Sequence, residues 1–298
     1  KNMRFGIVKK ERAVIYEIPA RKKVDSRGTL LSAVADEMLC GMGVLITGEK
    51  EQGFFPVKTF YGYYGYAEEM DLQPAGFEEI MEWEQSKLKE VSVFCADVMN
   101  LPRADGVPVI HLWAGSLVKV LEEEAALGWS LVQLADGRQG YVRNHFLKEK
   151  KYSQAGLWKS SLPQRSFVDA EEFREDVRKT ALSYLGVQYR WGGKSPAGID
   201  CSGLTSVSYM RNGILIYRDA KIKEGYPVKA IPREKVRPGD LLYFPGHVAL
   251  YLGNGKYVHA TGKVGSGGVV INSLNPLDDD YREDLDKSMY TAGSIFCS

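Results

Sequence analysis

The chain has 298 residues, with 39 Lys+Arg against 38 Asp+Glu and 44% hydrophobic residues. At roughly 100–200 residues per domain this predicts two or three domains with full cores, while the near-neutral balance argues against a nucleic-acid partner and no run of about 18 apolar residues offers a transmembrane helix. Cys40, Cys95, Cys201 and Cys297 are widely spaced with no C-x-x-C pair, which speaks against a zinc knuckle, a redox pair or a disulfide scaffold, and no metal or organic cofactor is implied. The chain opens at Lys1 rather than Met; a removed export leader is one reading of that, so the expectation is an exported protein with the cytoplasm as alternative. Nothing in the composition fixes an oligomeric state.

The first half reads as two copies of one small β unit. Gly53-Phe54-Phe55-Pro56-Val57 precedes Gly65-Tyr66 by the same spacing with which Gly128-Trp129-Ser130-Leu131-Val132 precedes Gly140-Tyr141. Short alternating strands and glycine turns predict a small barrel for each. The two copies resemble bacterial SH3-like domains, whose signature is a Gly-Trp-x-x-Val strand, a turn and a Gly-Tyr strand; the first copy carries Phe54 in place of the tryptophan. Residues 1–75 are expected to form the first such domain. Residues 76–150 would hold a connector helix, with Phe77, Ile80, Trp83, Glu84 and Leu88 at helical spacing, and the second domain.

From Lys148 to Gln164 the sequence is polar and irregular and reads as a linker at the head of a third domain, 151–298. Asp169-Ala170-Glu171-Glu172 looks like a capping box ahead of Phe173, Val177, Ala181 and Leu185, with Gly186 as the stop. A second helix starts at or near Cys201. Short apolar runs follow at 241–244, 248–252, 257–259 and 269–271, so this domain is expected to be α+β, with helices first and antiparallel strands after.

A thiol at a helix start meets the helix's positive end and free backbone N–H groups, which should lower its pKa below ~8.5 and supply an oxyanion hole. A base is needed, and His247 and His259 flank the turn Gly253-Asn254-Gly255. If that turn is a three-residue loop, Leu252 pairs with Lys256 and Ala249 opposes His259, so both histidines share one face at roughly 7–8 Å between backbones. An even-length loop would separate them. The residues thus suggest a Cys201-His247-His259 relay of nucleophile, base and orienting group. Cys40, Cys95 and Cys297 lack such a setting, and His111 and His145 read as structural.

The runs 186–193 (GVQYRWGG), 200–204 (DCSGL), 237–241 (RPGDL), 246–251 (GHVALY) and 257–260 (YVHA) resemble the NlpC-type cell-wall cysteine peptidases. The resemblance implies a papain-like α+β catalytic domain, preceded here by the two all-β SH3-like barrels, that cuts peptidoglycan stem peptides. It places Cys201 as nucleophile, His247 as base, His259 as third polar residue and the Tyr189 hydroxyl beside the sulfur, a core aromatic being the alternative for Tyr189. The paired SH3-like units narrow it to γ-D-glutamyl-L-diamino acid endopeptidases that require a free N-terminal L-alanine. In that subgroup Asp219 would bind the amine and Ser202 would follow the nucleophile in the pocket, while Glu37 and Tyr63 or Tyr64 would come from the first SH3-like domain. Alternatives are a wall-binding module with a degenerate catalytic domain, an endopeptidase of intact wall, or acyl transfer by the same relay.

Overall fold

Alternating runs between glycine turns give strands, and the computed structural model, which describes residues 3–165 and 169–296, is built mostly from them. The chain divides into two compact units, Lys1–Pro163 and Gln164–Ser298.

In the first unit the strands are β1 Arg4–Val8, β2 Arg12–Tyr16, β3 Lys22–Val24, β4 Leu30–Ser32, β5 Val34–Leu39, β6 Gly43–Ile46, β7 Phe54–Thr59, β8 Tyr64–Glu68 and β9 Leu72–Ala75. Helix α1 Phe77–Gln85 follows, then β10 Leu88–Val91, β11 Cys95–Met99, β12 Pro108–Trp113, β13 Leu117–Ala126, β14 Trp129–Gln133, β15 Gln139–Arg143 and β16 Leu147–Glu149. One sheet runs β5-β2-β8-β7-β6-β1-β9 and the next β12-β11-β15-β14-β13-β10-β16. Setting aside the small β3–β4 hairpin, the two orders are the same, strand for strand.

The likeness extends to single bonds. Glu69 N–H donates to Gly53 O at 3.0 Å, and Asn144 N–H to Gly128 O at 2.9 Å. Val57 faces Gly65 across β7 and β8, and Val132 faces Gly140 across β14 and β15. Both facing glycines are forced by a neighbouring backbone: a Cβ on Gly65 would lie 2.7 Å from Tyr16 O, and one on Gly140 2.6 Å from Met99 O. The repeated Gly-Tyr of the sequence is therefore a repeated close approach of strands.

Neither sheet closes, so in place of the expected barrels there are two open sheets, with β5 and β9 as edges of the first and β12 and β16 of the second. Pro74 lies in β9 and Pro108 opens β12, and a proline has no N–H to extend a ladder. The connector helix stops at Gln85, and Leu88 belongs to β10. Ile80 and Trp83 are its buried face, and Trp83 Nε1–H donates to Gly41 O at 2.9 Å.

The polar stretch after Lys148 is not a free linker. Tyr152, Gln154, Ala155 and Leu157 are buried, the Tyr152 ring stacks on Phe60, and Gln154 Oε1 accepts from Gly43 N–H at 2.7 Å. Polar composition misled because Gln154 is a core hydrogen-bonding residue rather than a solvated one.

The second unit holds α2 Ala170–Leu182, the short pair β17 Lys194–Ser195 and β18 Gly198–Ile199, and α3 Cys201–Met210. These are followed by β19 Lys229–Ile231, β20 Leu241–Phe244, β21 His247–Gly253, β22 Lys256–Thr261, β23 Gly268–Ser273, α4 Glu283–Ser288 and β24 Thr291–Ser294. Its six-stranded antiparallel sheet runs β19-β24-β20-β21-β22-β23. Asp169 caps α2, its Oδ1 accepting from the Glu171 and Glu172 N–H groups, and Phe173, Val177 and Ala181 are buried; Leu185 falls past the helix end and is exposed.

Every residue of α3 is buried. Its hydroxyls are accommodated because they bond backward along the helix: Thr205 Oγ1 donates to Ser202 O, Ser206 Oγ to Gly203 O, and Ser208 Oγ to Leu204 O at 2.6 Å. The helix packs on β21 and β22, which sets its first turn against the strand that begins with His247. Among the described residues no helix is long and apolar enough to cross a membrane.

Candidate active site

Cys201 is the first residue of α3, and the preceding Asp200 is its N-cap. Asp200 Oδ1 accepts from Gly203 N–H at 2.6 Å and Oδ2 from Gly192 N–H at 2.9 Å, so one carboxylate ties the helix start to the Trp191-Gly192-Gly193 loop. Arg218, 1% exposed, clamps it from the other side, with Nη1 3.0 Å from Asp200 Oδ1 and Nη2 3.2 Å from Oδ2. The same Nη1 donates to Ser202 Oγ at 2.7 Å. Ser202 is thereby held beside the thiol.

The Cys201 sulfur accepts from the backbone N–H of Val248 and from that of Ser202. The first of these contacts places it against β21 at the residue next to His247. The expected lowering of the thiol pKa is not found. Burial pushes Cys201 up to about 11, Asp200 adds to the rise, and the two N–H groups with Arg218 offset it only in part. The helix-start argument underweighted desolvation: the side chain is nearly sealed, and the capping carboxylate sits next to it.

His247 Nε2 lies 2.7 Å from His259 Nδ1, and His259 Nε2 lies 2.8 Å from Asn272 Oδ1. Burial, then the neighbouring ring, lowers His247 to about 3; burial likewise lowers His259 to about 4, partly opposed by the Asn272 contact. Both rings are therefore neutral at pH 7. At rest the thiol and both imidazoles are neutral, with His247 half-buried and His259 fully buried.

The hairpin joins the two histidines by a different turn from the one expected. Gly253 pairs with Lys256 around Asn254-Gly255, a two-residue loop in which both residues have positive φ (53° and 77°). Leu250 nonetheless faces Val258, because the register shifts between Tyr251 and Gly253. An extra residue at 252–253 forms a bulge that restores the odd count, so both rings still project to one face.

Tyr189 is half-buried. Its hydroxyl is raised well above its usual value by burial first and then by Cys201 and Asp200, so it stays protonated. Asp219, half-buried, accepts from Tyr217 Oη at 3.1 Å. Glu37, Tyr63 and Tyr64 belong to the first unit. Glu37 is buried and paired with Arg12 Nη1 at 2.8 Å, Tyr64 is exposed, and Tyr63 bonds through its backbone N–H to Thr59 Oγ1. In the same turn the Tyr61 hydroxyl donates to fully buried Asp36. Among the described residues no three His, Cys, Asp or Glu side chains converge as ion ligands. Cys297 lies outside the described residues.

The NlpC/P60 family pattern matches residues 186–281. Over 271 residues the chain is 40% identical to dipeptidyl-peptidase 6 of Lysinibacillus sphaericus, covering 90% of this chain and 94% of that one. The chain belongs to the NlpC/P60 family. This is a cysteine peptidase family, and the chain is a peptidase of it. A γ-D-glutamyl-L-lysine dipeptidyl-peptidase of Bacillus subtilis (strain 168) is 41% identical over 101 residues, 30% of this chain and 33% of that protein. The crystal structure of an NlpC/P60 family protein from Bacillus cereus shares the fold, with TM-score 0.72 at 19% identity over 97% of this chain and 98% of that one.

The NlpC/P60 span contains Tyr189, Cys201, Ser202, Asp219, His247 and His259, and also Arg218 and Asn272, to which sequence reasoning assigned no role. Arg218 had a signal: it is a cation beside Asp219 and downstream of an acidic N-cap. Asn272 had none, since its meaning depends on the register of β22 on β23, which sets it opposite Tyr257.

Proposed function

We propose that this NlpC/P60 peptidase hydrolyses the bond between D-glutamate's side-chain carbonyl and the diamino acid in peptidoglycan stem peptides that begin with a free L-alanine. The observation that carries the reading is the thiol of Cys201 held on the Val248 N–H, one residue from an imidazole pair in 2.7 Å contact. The 40% identity to a dipeptidyl-peptidase over both units supports the substrate class.

In this mechanism Cys201 Sγ attacks the γ-carbonyl of D-glutamate while its proton passes to His247. With the thiol raised and the imidazole lowered, the neutral pair is the ground state, so proton transfer accompanies attack. The tetrahedral oxyanion meets backbone N–H at the start of α3, that of Cys201 first. Collapse expels the amine of the diamino acid, which takes the proton from His247. Water, deprotonated by His247, then cleaves the thioester and releases L-Ala-D-Glu with free Cys201.

Asp219 supplies the carboxylate for the substrate's ammonium. A blocked terminus brings no ammonium to that carboxylate, and loss of a charge-assisted bond in a partly desolvated pocket is the kind of mismatch that costs orders of magnitude in specificity. The like-ordered sheets of the first unit fit the SH3-like reading of the repeat, with β14 and β15 as its paired signature strands.

The test is digestion of L-Ala-γ-D-Glu-diamino acid tripeptide, free and N-acetylated, followed by mass spectrometry. The expected result is release of the dipeptide from the free peptide alone, and none by Cys201→Ala. Equal rates on both peptides would replace the free-amine rule with action on intact wall, and full activity of Cys201→Ala would end the nucleophile assignment.

A further inference from the structure

We propose that Asn272 is a positioning residue that decides which nitrogen of His247 is available to take the thiol proton, an inference that rests on the role given to His247 above. Asn272 Nδ2 donates to the backbone carbonyl of Asp280 at 2.8 Å. A carbonyl only accepts, so the amide nitrogen is fixed toward Asp280 and the oxygen toward His259. That oxygen also only accepts. The His259 Nε2, 2.8 Å away, must therefore carry hydrogen.

A neutral imidazole has one such hydrogen, so His259 Nδ1 is a lone pair. It accepts at 2.7 Å from His247 Nε2, which must then be the protonated nitrogen of that ring. Only Nδ1 of His247 is left as base. The four groups form a one-way chain from His247 through His259 and Asn272 to the Asp280 carbonyl, and reversing it would set the Asn272 oxygen against a nitrogen lone pair.

Other charged and titratable groups around the rings do not choose between tautomers. Arg282 lowers and Asp284 raises the proton affinity of both rings, the Tyr257 ring lies 5.0 Å from that of His259, and the Asp280 carboxylate is taken by Lys256 Nζ at 2.6 Å. Cys201 is held on the N–H of Val248, the residue after His247, and the nitrogen of His247 that the chain leaves free is the one open to take its proton.

The experiment is nitrogen-15 NMR of the imidazoles in the full chain at pH 7 without substrate, with kcat and KM measured on the tripeptide. The expected spectrum shows hydrogen on Nε2 of both His247 and His259. In Asn272→Ala the buried Nε2–H of His259 loses its acceptor, the hydrogens move to Nδ1, and kcat falls about 10–100-fold with KM changed less than about twofold. Asn272→Asp keeps an acceptor: both rings stay Nε2–H, most of kcat returns, and the acid limb of kcat moves to higher pH because a carboxylate favours imidazolium. Rings that stay Nε2–H in Asn272→Ala, or an Asp variant as slow as the Ala variant, would reduce Asn272 to a packing residue. If Asn272→Ala does not fold, the wild-type and Asn272→Asp spectra decide by themselves. A wild-type chain with Nε2–H rings that leaves the tripeptide uncut would sink the peptidase reading alone, whereas Nδ1–H rings in an active wild type would sink this inference alone.

Discussion

Arg218 and Asp200 form a two-pronged ion pair sealed from water, at 3.0 and 3.2 Å, and the carboxylate in that pair is the cap of the helix that begins with Cys201. The pair joins three things the sequence presents separately: the Trp191-Gly192-Gly193 loop, the start of α3 and the Tyr217-Arg218-Asp219 segment. Its electrostatic effect on the thiol is divided, Asp200 raising the pKa and Arg218 lowering it.

Arg218→Met strips the partner from a buried carboxylate and is expected to cost about 3–5 kcal/mol. Combining it with Asp200→Asn should recover part of that loss, as a double-mutant cycle from denaturant unfolding would show. In the single variant the thiol rises further, so alkylation of Cys201 by iodoacetamide at pH 8 slows. Strictly additive losses would mean the pair is not a unit.

His259 has a folded pKa below its unfolded value of about 6.5, so the direction of its effect on stability is fixed. Between about pH 6.5 and 4 the unfolded chain binds a proton there that the native chain excludes, so stability falls as pH falls through that window. Fully developed, this amounts to about 1.4 kcal/mol per pH unit for one site. Unfolding free energies at pH 7, 6 and 5 should steepen in that sense, and His259→Gln should flatten the slope by about one proton. The low value of His247 also predicts a kcat/KM acid limb well below pH 6.5; a limb centred there would show that the ring is solvated in the free enzyme.

A Cβ added to Gly203 would stand 2.1 Å from Gly193 O and 2.9 Å from Asp200 Oδ1. Gly203→Ala must push the loop off the helix start, at a cost of about 1–3 kcal/mol and with misplacement of Cys201. Thermal unfolding and tripeptide turnover are expected to fall together. An alanine variant with native stability would mean the loop gives way freely.

Gln154→Leu tests whether the stretch after Lys148 is part of the first unit. The change leaves the buried Gly43 N–H without its acceptor and removes the donor to Glu84 Oε2, and about 1–3 kcal/mol should be lost. Hydrogen exchange should rise in β1, β6 and β7 and stay unchanged in α3 and β21. Uniform loosening of both units would contradict that placement.

Much of this was legible because it is local. The glycine spacing of the repeat reappears as paired Val57–Gly65 and Val132–Gly140, and Asp169 and the apolar steps of α2 fall where periodicity puts them. Cys201 at a helix start and two histidines on one hairpin face were also readable from short-range pattern. What failed depends on partners distant in sequence. Whether a sheet closes is set by its edges, the ionisation of Cys201 by how deeply α3 sits on β21 and β22, and the use of Asn272 and Arg218 by side chains brought to them from other elements. Strands β19 and β24 are three and four residues long, and their pairing was not visible in either segment alone.

The bulge beside Gly253 makes the distance between His247 and His259 a question of parity. One residue added to or taken from that hairpin reverses which side of the sheet one ring occupies, whereas two restore it. Drift in loop length is therefore tolerated here only in even steps, and a chain with an odd change must gain or lose a second irregularity to keep its imidazoles in touch.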